Sequence, residues 1–178
     1  ETLLDGGGEN AGQSLRFLEI VRKNAERMSG LIDDLTDLSL IETGAVEIHG
    51  APVDASRIAR GVAFELTHKY ADRGVEVRVE LPSPFVVHAD PGRLEQVLVN
   101  LIDNGIKFNR PGGSVLVAGA VQDGRPVVEV TDTGVGIPAD CLEKVFHRFY
   151  RVDKARSREM GGTGLGLAIV KHLMRLHG

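Results

Sequence analysis

At 178 residues the chain has length for one full core plus a small appendage, and its formal net charge of −4 gives no global support for binding nucleic acid. The single cysteine, Cys141, excludes an internal disulfide and suits a reducing, cytoplasmic setting; no apolar run approaches a membrane span and no signal-peptide pattern opens the chain. Tryptophan is absent and aromatic residues make up 4 %, so the core has to be aliphatic.

The stretch Glu1–Asp5 reads like the last turn of a helix, stopped by Gly6, Gly7 and Gly8, which suggests a fragment of something longer. Ser14 is a candidate N-cap. From there Leu18, Val21, Ala25, Met28, Ile32 and Leu35 follow alternating three- and four-residue steps, with charged residues on the other faces. An ordinary amphipathic helix packed on its own domain would show such a row. Its narrowness and length favour instead one arm of a helical hairpin that dimerises. Gly44 ends the helix, so residues 1–44 form one unit and residues 45–52 a linker.

A helix pattern follows from Val53 to Asp72, with Ile58, Val62, Phe64 and Leu66 as apolar positions and Gly74 at its close. Val75, Val77, Val79 and Leu81 alternate with charges as a half-buried strand. Phe85–His88 is a short neighbouring strand set off by Pro82 and Pro84. Asp90-Pro91 caps the next helix, whose apolar face is Leu94, Val97, Leu98, Leu101 and Ile102. Val115–Val121 and Pro126–Val130 form a hairpin around Asp123-Gly124. A last helical segment runs from Ala168 to Leu176. Residues 53–178 therefore predict an α/β domain, a two-layer sandwich with helices on one face of a mixed sheet.

The strand before Asp132 ends in a carboxylate followed by Gly134 and Gly136, whose missing side chains let a flat ligand lie against the backbone while Asp132 accepts a hydrogen bond from its rim. Downstream, the run Gly161–Leu167 offers free N–H groups at a helix N-terminus, a site for phosphates. A base site and a phosphate site together suggest a nucleotide. On the helix from Asp90 to Phe108, Asn100, Asn104 and Lys107 share a polar face. An amide oxygen there is an acceptable ligand for Mg²⁺, Lys107 supplies a charge for phosphate, and Phe108 a flat surface. Between the glycine clusters, Lys144, Arg148, Arg151, Lys154, Arg156 and Arg158 alternate with Val145, Phe146, Phe149 and Tyr150. The arginines suit a triphosphate and the Phe residues are expected to anchor the segment to the body. Residues 156–162 read as a mobile lid. Neither glycine cluster carries the Lys-Ser/Thr tail of a P-loop. Gly134-x-Gly136-x-x-Ala139 imitates a dinucleotide fingerprint but leads into the basic segment rather than into a second apolar strand.

Leu94–Phe108, Asp132–Pro138, Val145–Tyr150 and Gly162–Leu167 resemble, in order, the N, G1, F and G2 boxes of the ATP-binding half of bacterial sensor histidine kinases, within the gyrase–chaperone–histidine kinase–mismatch-repair ATPase superfamily. The seam helix, with its run Leu35–Glu42, resembles the second helix of that family's dimerisation and phosphotransfer hairpin. The resemblance implies a Bergerat fold with ATP and Mg²⁺ as cofactors. It implies that Asp132 binds the adenine amino group and that Gly134, Gly136 and Ile137 shape the base pocket. It places Asn104 on Mg²⁺, Asn100 and Lys107 on the phosphates, Phe108 near the base, Tyr150 and Arg151 on the nucleotide from the F-box side, and Thr163, Gly164, Leu165 and Gly166 over the triphosphate. Asn100, Lys107 and Arg151 would be the catalytic set.

Two positions depart from the pattern. Gly105 replaces the usual Ala, so a looser helix is expected, and Asn109 replaces the usual Thr or Ser. The family's phosphate-accepting His stands in a His-Glu-x-x-Thr-Pro-like box, and none of His49, His68, His88, His147, His172 and His177 has that context. The acceptor is thus expected upstream of Glu1, on a parent protein that is anchored in the bacterial inner membrane, forms a homodimer and serves a response regulator. With half the hairpin missing, this fragment is not counted on to dimerise. ATP hydrolases of the superfamily carry a Glu where Asn100 stands, and an amide cannot take a proton from water, so transfer to an imidazole is expected over hydrolysis. The rivals are an anti-sigma-factor type serine kinase and a non-catalytic nucleotide-sensing module.

Overall fold

The computed structural model describes residues 11–44, 47–153 and 162–178. The predicted turn at Glu1–Asp5, its glycine stop and most of the predicted lid lie outside the described residues. The chain begins with a long helix, α1 (Ala11–Glu42), in which Ser14 is an interior residue and not the predicted cap. Gly44, at φ +69°, follows its end. Leu18, Val21, Met28, Ile32 and Leu35 are 48–62 % exposed, so in the single chain the apolar row faces solvent.

Strand β1 (Ala51–Asp54) lies where the linker and the first residues of the next helix are predicted. The boundary shifts because Asp54 is the cap of α2 (Ala55–Lys69). Its Oδ1 accepts the N–H of Ser56 at 3.0 Å, the Ser56 hydroxyl at 2.7 Å and the N–H of Phe85 at 3.0 Å. These bonds hold the Asp54 carboxyl below its ordinary pKa. Helix α2 stops at Lys69, and a 3₁₀ turn over Ala71–Arg73 carries the chain to Gly74. Strand β2 (Glu76–Glu80) follows, then β3 (Val86–Ala89), α3 (Pro91–Lys107), β4 (Ser114–Gln122), β5 (Arg125–Asp132) and α4 (Gly166–His177). Helix α3 is capped as its sequence predicts: Asp90 accepts the N–H of Arg93 at 3.1 Å, and Pro91 takes the first turn.

The strands form two hydrogen-bonded groups rather than one sheet. In the order β2–β4–β5, β2 runs parallel to β4 and β4 antiparallel to β5, while β3 pairs antiparallel with β1. Strands β2 and β3, expected as neighbours, do not pair: the connection through Pro82 and Pro84 carries the chain from β2, beside β4, to β3, beside β1. The β4–β5 hairpin turns at Asp123 and Gly124 with φ +50° and +75°, the two positive values that a type I′ turn requires.

Ala59, Val62 and Leu66 of α2 and Leu98, Ile102 and Ile106 of α3 are buried against Val115 and Val117 of β4. Helices thus cover one face of the sheet, giving the two-layer α/β sandwich. Phe64 is not part of this core; it is 67 % exposed with its ring 4.2 Å from that of His68. A second flank of α3, through Val97 and the partly buried Leu101, packs on Leu165 and on Ile169, Val170 and Leu173 of α4. Two flanks of α3 are committed to apolar packing, and the Asn100–Asn104–Lys107 side, outside both, stays polar.

Candidate active site

Asn100 donates through Nδ2 to the Gln96 carbonyl at 3.0 Å, and its Oδ1 lies so near Gly166, the first residue of α4, that a Cβ there would stand 2.5 Å away. A bare backbone at Gly166 therefore lets the N-terminus of α4 reach the polar face of α3. One turn on, Asn104 is half-buried, and among the described residues nothing hydrogen-bonds its amide. Lys107 is not pointing freely into solvent. Its ammonium is 2.6 Å from Oδ2 of Asp103, with both side chains under a fifth exposed.

The C-terminus of α3 is knitted to the end of β5. Phe108 accepts the Val135 N–H on its carbonyl at 3.2 Å. Asn109, buried, donates to the Ser114 carbonyl at 2.9 Å and accepts on Oδ1 the N–H of Arg110 at 2.9 Å and the Thr133 hydroxyl at 3.3 Å. The residue in place of the usual Thr or Ser thus ties helix, strand and glycine loop together. Asp132 is exposed; its Oδ1 accepts the N–H of Gly134 at 2.8 Å, leaving the other oxygen for a ligand. A Cβ on Gly134 would meet that carboxylate at 2.6 Å and the Phe108 carbonyl at 2.7 Å, so only glycine fits. Gly136 takes φ +70° and Ile137 is 44 % exposed beside it.

The F-box segment reaches the G2 segment through backbone. Phe149, at φ +59°, donates its N–H to the Gly164 carbonyl at 2.9 Å, Gly164 itself sits at φ +75°, and Arg151 donates to the Gly162 carbonyl. The predicted anchoring by aromatic rings is made by Phe146 and not by Phe149. Phe149 is 60 % exposed and Phe146 39 %, its ring lying 5.6 Å under the Lys171 ammonium. At Phe149 a main-chain bond does that work instead. Tyr150 turns its hydroxyl to the Cys141 sulfur at 3.2 Å, and the Leu165 N–H, predicted to face phosphate, donates to Thr163 Oγ1 at 3.2 Å. Leu165's side chain is fully buried. The four segments are thus linked in a chain of direct contacts: N to G1 at Phe108, N to G2 at Asn100, and G2 to F at Gly164. Tyr150 and Arg151 are thus turned toward Cys141 and the Gly162 carbonyl.

A family model described as histidine kinase-, DNA gyrase B-, and HSP90-like ATPase matches residues 89–178. The mycobacterial sensor histidine kinase MprB is 33 % identical, with a TM-score of 0.62 over 72 % of this chain and 80 % of that one. The chain belongs to this ATPase family, on its sensor histidine kinase branch. The sensor histidine kinase WalK of Bacillus subtilis strain 168 is 38 % identical over 100 % of this chain and 30 % of WalK. Full-length ShkA, crystallised with AMPPNP, is 30 % identical with a TM-score of 0.77, over 93 % of this chain and 34 % of ShkA. The chain thus spans less than a third of the length of WalK. Its sandwich is the Bergerat fold of histidine kinase catalytic domains, an ATP-binding fold.

Sequence reading missed how α1 meets this kinase domain. Asp34 accepts the Thr163 hydroxyl at 2.7 Å, and Asp37 accepts from Arg93 at 3.2 Å and from Gln96 at 2.5 Å. On a charged helix these acids look like ordinary solvated residues. Their spacing of three, on the side away from the apolar row, was the only available signal. Burial pushes the Asp34 carboxyl above its ordinary pKa; the Thr163 hydroxyl opposes, Asp37 and Asp33 add to the rise, and Lys107 opposes. A raised value means that burying Asp34 here is most favourable below the undocked pKa of 3.8 and becomes less so as pH rises through the docked value, although the Thr163 bond itself favours the carboxylate. Asp34→Asn keeps an oxygen for Thr163 and removes the repulsion. At neutral pH it is expected to slow amide hydrogen exchange in the last three turns of α1 several-fold; faster exchange than wild type contradicts the assignment.

Proposed function

We propose that this catalytic domain binds Mg-ATP between α3, the Asp132 loop and the start of α4, and passes the γ-phosphoryl group to a histidine outside this chain. The observation that carries the reading is the open Asn104 amide beside the Asn100–Gly166 contact, on a helix whose end is bonded to the Asp132 loop. Asp132 takes the adenine amino group on its unused oxygen, and Gly134, Gly136 and Ile137 form the flat wall, with Phe108 near the base. Asn100, Lys107 and Arg151 stand at the phosphate end with Thr163, Gly164, Leu165 and Gly166. Engaging the phosphates there requires Thr163 to give up Asp34 and Tyr150 to turn from Cys141.

Asn104 suits Mg²⁺. Among the described residues no three His, Cys, Asp or Glu side chains gather to hold a metal, so an ion at one amide oxygen has to complete its shell from phosphates and water, the habit of Mg²⁺. When bound, the ion neutralises charge on the β- and γ-phosphates. The chain's own residues hold the triphosphate in line and keep water from acting as nucleophile, since Asn100 has no proton-accepting group. The bond from γ-phosphorus to the bridging oxygen breaks, ADP leaves with the electron pair, and an imidazole nitrogen takes the phosphoryl group.

The six histidines all lie outside an acceptor box. Residues 1–44 are read as part of the dimerisation and phosphotransfer hairpin, the exposed apolar row of α1 as its seam in a homodimeric parent, and a response regulator as the final acceptor. No helix among the described residues is long and apolar enough to cross a membrane; anchoring in the bacterial inner membrane would belong to other parts of the parent. Incubation with γ-labelled ATP is expected to leave this chain unlabelled and to place acid-labile label on an added helical hairpin bearing the acceptor box. Acid-stable label on serine would move the assignment to a serine kinase. Acid-labile label on the chain itself would refute the external acceptor.

A further inference from the structure

Lys107 owes its place to groups that the four boxes do not include. Each oxygen of Asp103 has its own partner: Oδ2 holds the Lys107 ammonium at 2.6 Å, and Oδ1 accepts the Tyr70 hydroxyl at 2.6 Å, with the Lys69 ammonium at 3.8 Å. Tyr70 is itself held by two cations over its ring, the Lys69 ammonium at 5.1 Å and the Arg73 guanidinium at 5.8 Å from its centroid. Arg73 also donates to the Lys107 carbonyl at 3.4 Å, which caps the end of α3. Burial and the Asp103 carboxylate push the Tyr70 phenol far above its ordinary pKa, so it remains a donor at every working pH.

We infer that Asp103 is a positioning residue for phosphate binding: braced by Tyr70, it holds the Lys107 ammonium in place before ATP arrives. The inference rests on Lys107 facing the phosphates, as proposed above. An ammonium has three protons. Asp103 takes one and leaves two for a ligand. Without the carboxylate the four-carbon stem is free to turn, and ATP has to order it on binding. The geometry of α3 agrees: Lys107 lies on the same helix face as Asn100, whose Oδ1 lies against Gly166 of the G2 segment. Sequence alone hid the arrangement, because Asp103 and Lys107 at i and i+4 look like any helical ion pair, and Tyr70 lies 33 residues from Asp103.

The test is a double-mutant cycle read as the ratio of ATP affinity to adenosine affinity, so that damage to the base pocket cancels. Lys107→Met is expected to lower the ratio by about tenfold or more. Asp103→Asn is expected to lower it by roughly three- to tenfold in the wild-type background and to have no further effect once Lys107 is Met. Tyr70→Phe should produce a smaller loss of the same kind, and it keeps the test open if Asp103→Asn fails to fold. If Lys107→Met leaves the ratio unchanged, the phosphate role of Lys107 falls and this inference with it. If Lys107→Met lowers the ratio but the Asp103 and Tyr70 variants do not, or if their losses persist beside Lys107→Met, Asp103 is only structural.

Discussion

Asp132→Ala is expected to lower ATP affinity by about a hundredfold or more while leaving the fold intact. The side chain is exposed and lines no core, so the loss of stability should be small. Its contribution to a ligand is of another size. One oxygen is spent on the Gly134 N–H at 2.8 Å, which fixes the rotamer, and the other has no hydrogen-bond partner among the described residues. In the proposed binding mode, removing the carboxylate leaves an adenine amino group facing carbon, and sites built to satisfy one polar group discriminate by two or more orders of magnitude when the pairing is lost. Asp132→Asn should be nearly as damaging, because an amide that keeps its oxygen toward Gly134 turns an N–H toward the adenine N–H. Selectivity makes the measurement specific. GTP presents a carbonyl at that edge, so the wild type should reject it and Asp132→Asn should lose most of the preference. Calorimetric titration with both nucleotides at fixed Mg²⁺ decides; ATP affinity within about threefold of wild type would remove Asp132 from the base site.

What the sequence discloses and what it hides divide along local and non-local physics. The Asp123-Gly124 turn, the Asp90-Pro91 cap and the glycine loop after Asp132 are written within a few residues, and they form where they are predicted. Strand β1 is four residues long, contains Pro52, and has no partner until β3, so neither its period nor its neighbours mark it. The F-box shows the same limit. Alternating Phe and Arg residues imply buried rings, but burial depends on what lies opposite. There the main chain of Phe149 has taken the bond to Gly164 that holds the segment. Thr163 illustrates it most sharply: the residue placed over the triphosphate gives its hydroxyl to a partner 129 residues away on α1. The three glycine- and asparagine-rich segments could be read because their chemistry is carried by residue type. The state of each side chain could not, because it depends on α1 and α2.

Gly105→Ala sets two such effects against each other. Helix propensity alone favours alanine by about 1 kcal/mol in an interior position, and the looser helix expected at Gly105 follows from that rule. The structure reverses the sign. A Cβ at Gly105 would lie 2.9 Å from Cγ2 and 3.2 Å from Cγ1 of Val115, and 3.5 Å from Cβ of Asp132. Val115 is fully buried and β-branched, so it has no alternative rotamer to adopt without moving β4. Forcing a methyl into such a contact costs about 1–3 kcal/mol, which outweighs the gain in propensity. The variant should therefore be less stable than wild type by roughly 1–2 kcal/mol, seen as a lower denaturant midpoint with unchanged slope. The relief also has a direction: α3 moves off the sheet, carrying Asn104 away from Asp132. ATP affinity should fall even at temperatures where the variant is fully folded. Gly105→Ala combined with Val115→Ala tests the cause, since deleting the two methyls that the new one meets should recover ATP affinity although it removes core volume. A stability gain in the single variant, or a double variant binding no better than the single, would show that the glycine is there for some reason other than the close approach of helix and strand.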